Sequence, residues 1–215
     1  MAQIFPKWAN QTPLALGAVA AAFGLAAAGF ASYYFSPEYT DVGYQPKQPV
    51  PYSHALHAGE LGLDCRFCHA SVELSPIASV PATEVCMNCH HIVKRDSPVL
   101  AAIQKSASSG EPMRWVRVHK VPEYAYFDHS AHLAAGVGCA SCHGPIHQMD
   151  VVRQVEPLSM AWCLECHRNP DNHLRALGEI TDMDWQPPAN QAELAARFKQ
   201  DRALSPPEDC SGCHH

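Results

Sequence analysis

Five copies of Cys-x-x-Cys-His constrain this chain more than anything else in it. They stand at Cys65, Cys68 and His69; Cys86, Cys89 and His90; Cys139, Cys142 and His143; Cys163, Cys166 and His167; and Cys210, Cys213 and His214. The ten cysteines are used up by the five copies, so none is left over. This pattern is the attachment site of c-type haem. Two thiols one helical turn apart form thioethers with the vinyl groups of a haem, and the adjacent imidazole lies beneath the iron as its proximal ligand. Zinc uses Cys/His clusters with the same two-residue gap, and a disulfide framework also takes an even number of cysteines. Neither gives a reason for a histidine directly after every second cysteine. The sequence therefore predicts five covalent haems with His69, His90, His143, His167 and His214 as proximal ligands.

The histidine supply matches that expectation. Of 14 histidines, nine remain after the motifs: His54, His57, His91, His119, His129, His132, His147, His173 and His215. That is enough for a second histidine on every iron, a ligation that suits electron transfer. About 43 residues stand behind each motif, too few for an ordinary core around each cofactor. The expected fold class is mostly irregular with short α-helices, a multihaem cytochrome c wrapped around stacked haems, plus one N-terminal transmembrane helix. Eighteen prolines and low aromatic content agree with loop-rich wrapping and little strand.

No charged residue occurs from Trp8 to Pro37, and Leu14 to Phe35 is mostly apolar. At 1.5 Å per residue that run is about 33 Å long, enough to cross a bilayer. Tyr33, Tyr34 and Phe35 read as an interfacial aromatic belt. A cleaved signal peptide is the competing reading, with Ala26, Ala28 and Ala31 as small residues near a cut; the apolar run is longer than a signal core. Lys7 before the span, with Glu38 and Asp41 after it, puts the N-terminus in the cytoplasm and the haem region on the periplasmic side of a bacterial inner membrane. Gly17, Gly24 and Gly29 allow close packing on another membrane subunit. The net charge of −6 suits a basic soluble partner, and no Lys/Arg run points to nucleic acid.

First cysteines fall at 65, 86, 139, 163 and 210, a short, long, short, long spacing. The expected organisation is a cytoplasmic N-terminus at 1–11, a transmembrane anchor at 12–36 and a linker at 37–48. A first dihaem unit at 49–115, a second at 116–178, and a C-terminal linker with the fifth haem at 179–215 follow. Both units carry His-x-x-His upstream of their first motif, in PYSHALHAGELGLDCRFCH and YFDHSAHLAAGVGCASCH. On a helix these two positions share a face, so His54/His57 and His129/His132 are expected to serve two neighbouring irons each. His215 is too close to proximal His214 to reach round its own iron, so the C-terminus must fold back for a sixth ligand. His119 is the expected fifth distal histidine. His147 and His173 compete with it, as do methionines such as Met87, Met113, Met149, Met160 and Met183. Arg114, Arg117, Lys120, Arg153 and Arg168 are candidate partners of haem propionates, and a short helix is expected around AELAARFKQ.

The single span, the five motifs and the run RWVRVHKVPEYAYFDHSAH…GCASCHGPI…LSMAWCLECHR resemble the pentahaem cytochrome c subunit of alternative complex III, a bacterial quinol:cytochrome c or quinol:oxidase oxidoreductase. The resemblance runs from the anchor to the last motif. It implies a subunit that oxidises no quinol itself. Its expected partners are polytopic quinol-oxidising subunits, an iron–sulfur (molybdopterin-like) subunit, and a monohaem cytochrome c or terminal oxidase as acceptor. A quinol dehydrogenase of the NapC/NrfH kind is the alternative, and a catalytic multihaem reductase is a third. The reductase would need an open iron, and such enzymes often carry Cys-x-x-Cys-Lys, which is absent here.

Overall fold

The computed structural model describes residues 4–36 and 41–214; Met1, Glu38 and His215 lie outside the described residues. It divides into two compact units, Met1–Thr40 and Asp41–His215.

In the first unit a 3₁₀ turn, Lys7–Gln11, leads into helix α1, Thr12–Tyr34. Pro13 sits in the first turn, where its missing N–H has no intrahelical partner to lose. The helix is apolar on every side, and Leu14, Phe23, Leu25 and Phe30 are all exposed. A helix apolar all round is either buried or in lipid, and α1 is exposed along its whole length. Its 23 residues span about 35 Å, so it is compatible with a membrane anchor. The aromatic end is ordered by ring contacts, Phe30 on Tyr34 at 5.8 Å and Tyr34 edge-on to Phe35 at 5.4 Å.

The second unit is built from short helices. They are α2 (Cys65–Cys68), α3 (Thr83–His90), α4 (Ala101–Ser109), α5 (His129–Ala135), α6 (Ala140–His143), α7 (Met160–Arg168) and α8 (Gln191–Asp201). Side-chain caps start several of them: Asp64 accepts from the Arg66 amide, Asp128 from Ala131 and Ser159 from Trp162. Left-handed glycines close α4 and α5 at Gly110 and Gly136. Among the described residues no strand forms; two isolated bridges pair Ala125 with His214 and Val137 with Leu174. The helical and irregular class expected from the motif density is what the chain adopts, including the helix over AELAARFKQ, which is α8.

Two small apolar clusters stand in for a core. One joins Val50, Leu100 and Ile103, with Cys86, Met87 and Trp115 packed on it. The other joins Val72, Leu133 and Ile180, with Ala78 and Cys139 packed on it. In both, motif cysteines border the apolar cluster.

Gly136 shows how tightly the loop before the third motif is drawn in. Its φ is +91°, and a Cβ there would stand 2.6 Å from the Arg175 carbonyl oxygen. The Gly136 carbonyl in turn accepts from the Arg175 amide at 2.9 Å. Gly136→Ala is expected to destabilise the haem-loaded protein by about 1–3 kcal/mol, read as a lowered Tm; an unchanged Tm would show that the loop relaxes freely.

Candidate metal centres

The five motifs share one local geometry. Cysteines three apart in a helical turn put both sulfurs on one face with the histidine beside them. The His69, His143 and His214 amides donate to the carbonyls of Cys65, Cys139 and Cys210 at 2.9, 3.0 and 2.9 Å. The first motif forms α2, the third α6, the second the end of α3 and the fourth the end of α7. The fifth sits on a 3₁₀ turn, Cys210–Gly212, capped by the Asp209 carboxylate. All ten thiols are free.

The motif imidazoles are held by backbone carbonyls. Nδ1 donates to Ser79 O in His69 (2.7 Å), to Val93 O in His90 (3.0 Å), to Pro207 O in His167 (2.7 Å) and to Tyr124 O in His214 (3.1 Å). A carbonyl only accepts, so the proton must sit on Nδ1 and the lone pair is left on Nε2. This is how a metal-bound histidine is oriented from behind. His143 differs: its Nδ1 is buried with no partner. Burial, reinforced by His119 and His129, pushes His143 down to about 3, so it stays a neutral imidazole able to ligate.

The upstream pairs repeat the same device. His57 Nδ1 donates to Ser53 O at 2.8 Å and His132 Nδ1 to Asp128 O at 2.6 Å, four residues back in each case. Tyr52 stacks on His57 (4.5 Å, 24°) and meets His54 edge-on (4.8 Å, 86°). Phe127 does the same to His132 (4.7 Å, 28°) and His129 (4.7 Å, 88°). The repeated unit is thus aromatic-x-His-x-x-His. The aromatic residue stands two positions before the first histidine in both PYSHALH and YFDHSAH, a signal the His-x-x-His pattern alone does not include. His54 and His57 belong to a π-helical turn around Ala55–Glu60, and His129 and His132 to α5.

Three pairs of imidazoles then face each other. Ring centres are 6.2 Å apart for His57 and His90, 6.3 Å for His129 and His143, and 6.1 Å for His132 and His167. Two imidazoles sharing one metal, each bound at about 2.0 Å, place their ring centres roughly 6.4 Å apart. The space between these rings therefore fits an iron with a histidine on each side. His54 keeps a buried, unpartnered Nδ1. Burial first, then His69 and His57, pushes it down to about 4, which sets it near the first motif.

The remaining expected ligands fall in different places. His119 lies edge-on to His143 at 4.4 Å, with its Nε2 buried and unpartnered. His147 Nε2 is 3.1 Å from the Asp184 carboxylate and 3.0 Å from the Gln148 amide. His91 Nδ1 donates to Met87 O at 2.8 Å. Of the expected propionate partners, Arg168 pairs with Glu208 at 3.2 Å and Lys120 lies over Tyr44. Arg175, which carries no motif in the sequence, is buried. It donates to Asp182 O at 3.0 Å, covers the Trp185 ring and leaves its Nε unpartnered. No local spacing could have marked it, because its neighbours Ser141, Cys139 and Trp185 come from distant segments.

A family model described as cytochrome c7 and related cytochrome c matches residues 125–215. The chain is also 28% identical over 151 residues to the multihaem cytochrome c subunit of menaquinone reductase from Nitratidesulfovibrio vulgaris (Hildenborough), covering 60% of this chain and 71% of that protein.

Proposed function

We propose that this chain is a multihaem c-type cytochrome that carries five covalent haems and relays single electrons within a membrane-bound, quinone-coupled oxidoreductase. The observation that supports this most is the repeated pairing of imidazoles at the spacing of a shared metal, with Nε2 left free on the motif side in His90 and His167 and on the upstream side in all three pairs. In this reading the thioether sulfurs are Cys65, Cys68, Cys86, Cys89, Cys139, Cys142, Cys163, Cys166, Cys210 and Cys213. The first histidine of each upstream pair serves the first motif of its unit and the second serves the second. That assigns His54 to the iron of His69, His57 to His90, His129 to His143 and His132 to His167. His119 is the remaining distal ligand, supported by its buried, orphaned Nε2. When bound, haem supplies reversible one-electron chemistry; the protein's work is to hold each iron between two firm ligands so that no substrate enters.

The relative named above is a subunit of a menaquinone reductase, which supports placing this chain beside quinone-reactive subunits. The finer reading is the pentahaem subunit of alternative complex III. Its partners would be an iron–sulfur subunit, polytopic quinol-oxidising subunits and a monohaem cytochrome c acceptor. In that reading α1 anchors the chain in the inner membrane, with its N-terminus in the cytoplasm and the haem unit in the periplasm. It is not itself the enzyme that makes or breaks bonds.

The test has two parts. Pyridine haemochrome absorbance against protein should give five haems per chain, and the reduced protein should show no carbon monoxide adduct. Fewer haems would end the five-haem reading, and stoichiometric gas binding would reveal an open iron and bring back the reductase alternative. His119→Ala should then add one gas-binding iron; an unchanged low-spin spectrum at all five would remove His119 from the ligand set.

A further inference from the structure

We infer that the five motifs are strung in space in the order second, first, third, fourth, fifth, so that the relay opens to outside partners at the second and fifth motifs. This rests on the five-haem reading above. The contacts fix neighbours one link at a time. Tyr52 and His57 join the first two motifs: Tyr52 stacks on His57, whose carbonyl accepts from the Leu63 amide just before Cys65 at 3.0 Å and whose ring centre lies 6.2 Å from that of His90. The first motif meets the third where Val72 and Ala78, after the first motif, pack with Leu133, Cys139 and Ile180. The same join is made by His129, whose amide and Nδ1 both donate to Pro76 O, at 3.2 and 2.8 Å. The third meets the fourth at α5, where the His129 ring centre is 6.3 Å from that of His143 and the His132 ring centre 6.1 Å from that of His167. The fourth meets the fifth through His167 on Pro207 O at 2.7 Å and through Arg168 on Glu208.

Chain order and spatial order therefore differ. The first motif in sequence becomes an interior link, held on one side by Tyr52 and on the other by the Ile180 cluster. Exposure agrees independently. Eight of the ten cysteines are half-buried, and the two exposed ones are Cys89, in the second motif, and Cys210, in the fifth. A relay exchanges electrons with proteins where its cofactor edges reach the surface, and the attachment sulfurs mark such an edge. One electron enters at one end for each that leaves at the other, with no bond made or broken and no proton required. The donor is a one-electron protein centre of the iron–sulfur class and the acceptor a one-electron carrier of the monohaem cytochrome class.

Anomalous diffraction from crystals of the haem-loaded protein at the iron edge tests the order. The four shortest iron–iron separations should join motifs two and one, one and three, three and four, and four and five. A second-motif iron closer to any iron other than the first motif's, or an interior motif with the most exposed thioether edge, overturns it. Fewer than five iron peaks would instead be a failure of the five-haem reading. In native membranes, Cys86→Ala/Cys89→Ala and Cys210→Ala/Cys213→Ala should each leave four haems reducible by dithionite. One pair should abolish reduction by the donor side and the other oxidation by the acceptor side. If both cut the same exchange, or either cuts neither, the two-port assignment is wrong.

Discussion

Made without haem attachment, the chain beyond α1 is expected to be unfolded, with far-UV circular dichroism close to a coil and no cooperative thermal transition. The reason lies in what is buried. Among the described residues only ten apolar residues are buried, and six of them fall into two three-residue clusters. A domain of this length ordinarily removes about 70% of its extended-chain surface from water. Here the helices that must be held are four to eleven residues long, and isolated helices shorter than about 12 residues are marginal in water. Their caps and turns contribute too little alone, so in the five-haem reading the macrocycles, clamped by thioethers and imidazoles, supply the missing core. Replacing all ten cysteines by alanine, or expressing the chain where haem is not attached, gives the material, and limited proteolysis gives an independent readout. A haem-free chain that melts cooperatively would show that the two small clusters suffice.

Much of this was legible in the sequence, and for identifiable reasons. Cys-x-x-Cys-His carries its chemistry within five residues, so all five motifs could be named before any fold was known. The His-x-x-His pairs were legible because the unit repeats at a nearly constant offset, and the repeat carries Tyr52 and Phe127 with it. The helical and irregular class followed from motif density. What could not be read was whatever depends on distant segments meeting. Pro207 holding His167 and Tyr124 holding His214 are contacts across 40 and 90 positions, made by backbone carbonyls that every residue possesses. Arg175 gave no signal because its burial is produced by α6, the turn at Asp182 and Trp185 together. The neighbour order of the motifs was hidden for the same reason: spacing suggested two units in series, whereas Pro76 reaches into the second unit to hold His129.

Removing one upstream imidazole should open one iron and only one. For His132→Ala we expect one of the five haems to lose its low-spin spectrum, become high-spin when reduced, and bind a single equivalent of carbon monoxide. Ring centres of His132 and His167 are 6.1 Å apart. His132 is fixed from behind by Asp128 O and stacked by Phe127, so the wild-type ligand has little freedom to leave. Burial lowers its proton affinity, which keeps it from protonating off the metal as pH falls. Alanine leaves the opposite face intact, since His167 is held separately by Pro207 O, so the haem should stay attached and the stoichiometry should remain five. His132→Met separates ligation from packing. A thioether at the same position should restore a six-coordinate, low-spin iron but raise its potential by a readable part of the about 0.8 V that axial ligands span. His147→Ala is the control, because its Nε2 is already engaged by Asp184 and Gln148; it should change neither spectrum nor gas binding. If His132→Ala binds no gas while His147→Ala does, the imidazole facing His167 is not the ligand, and the pairing rule drawn from the repeat fails with it.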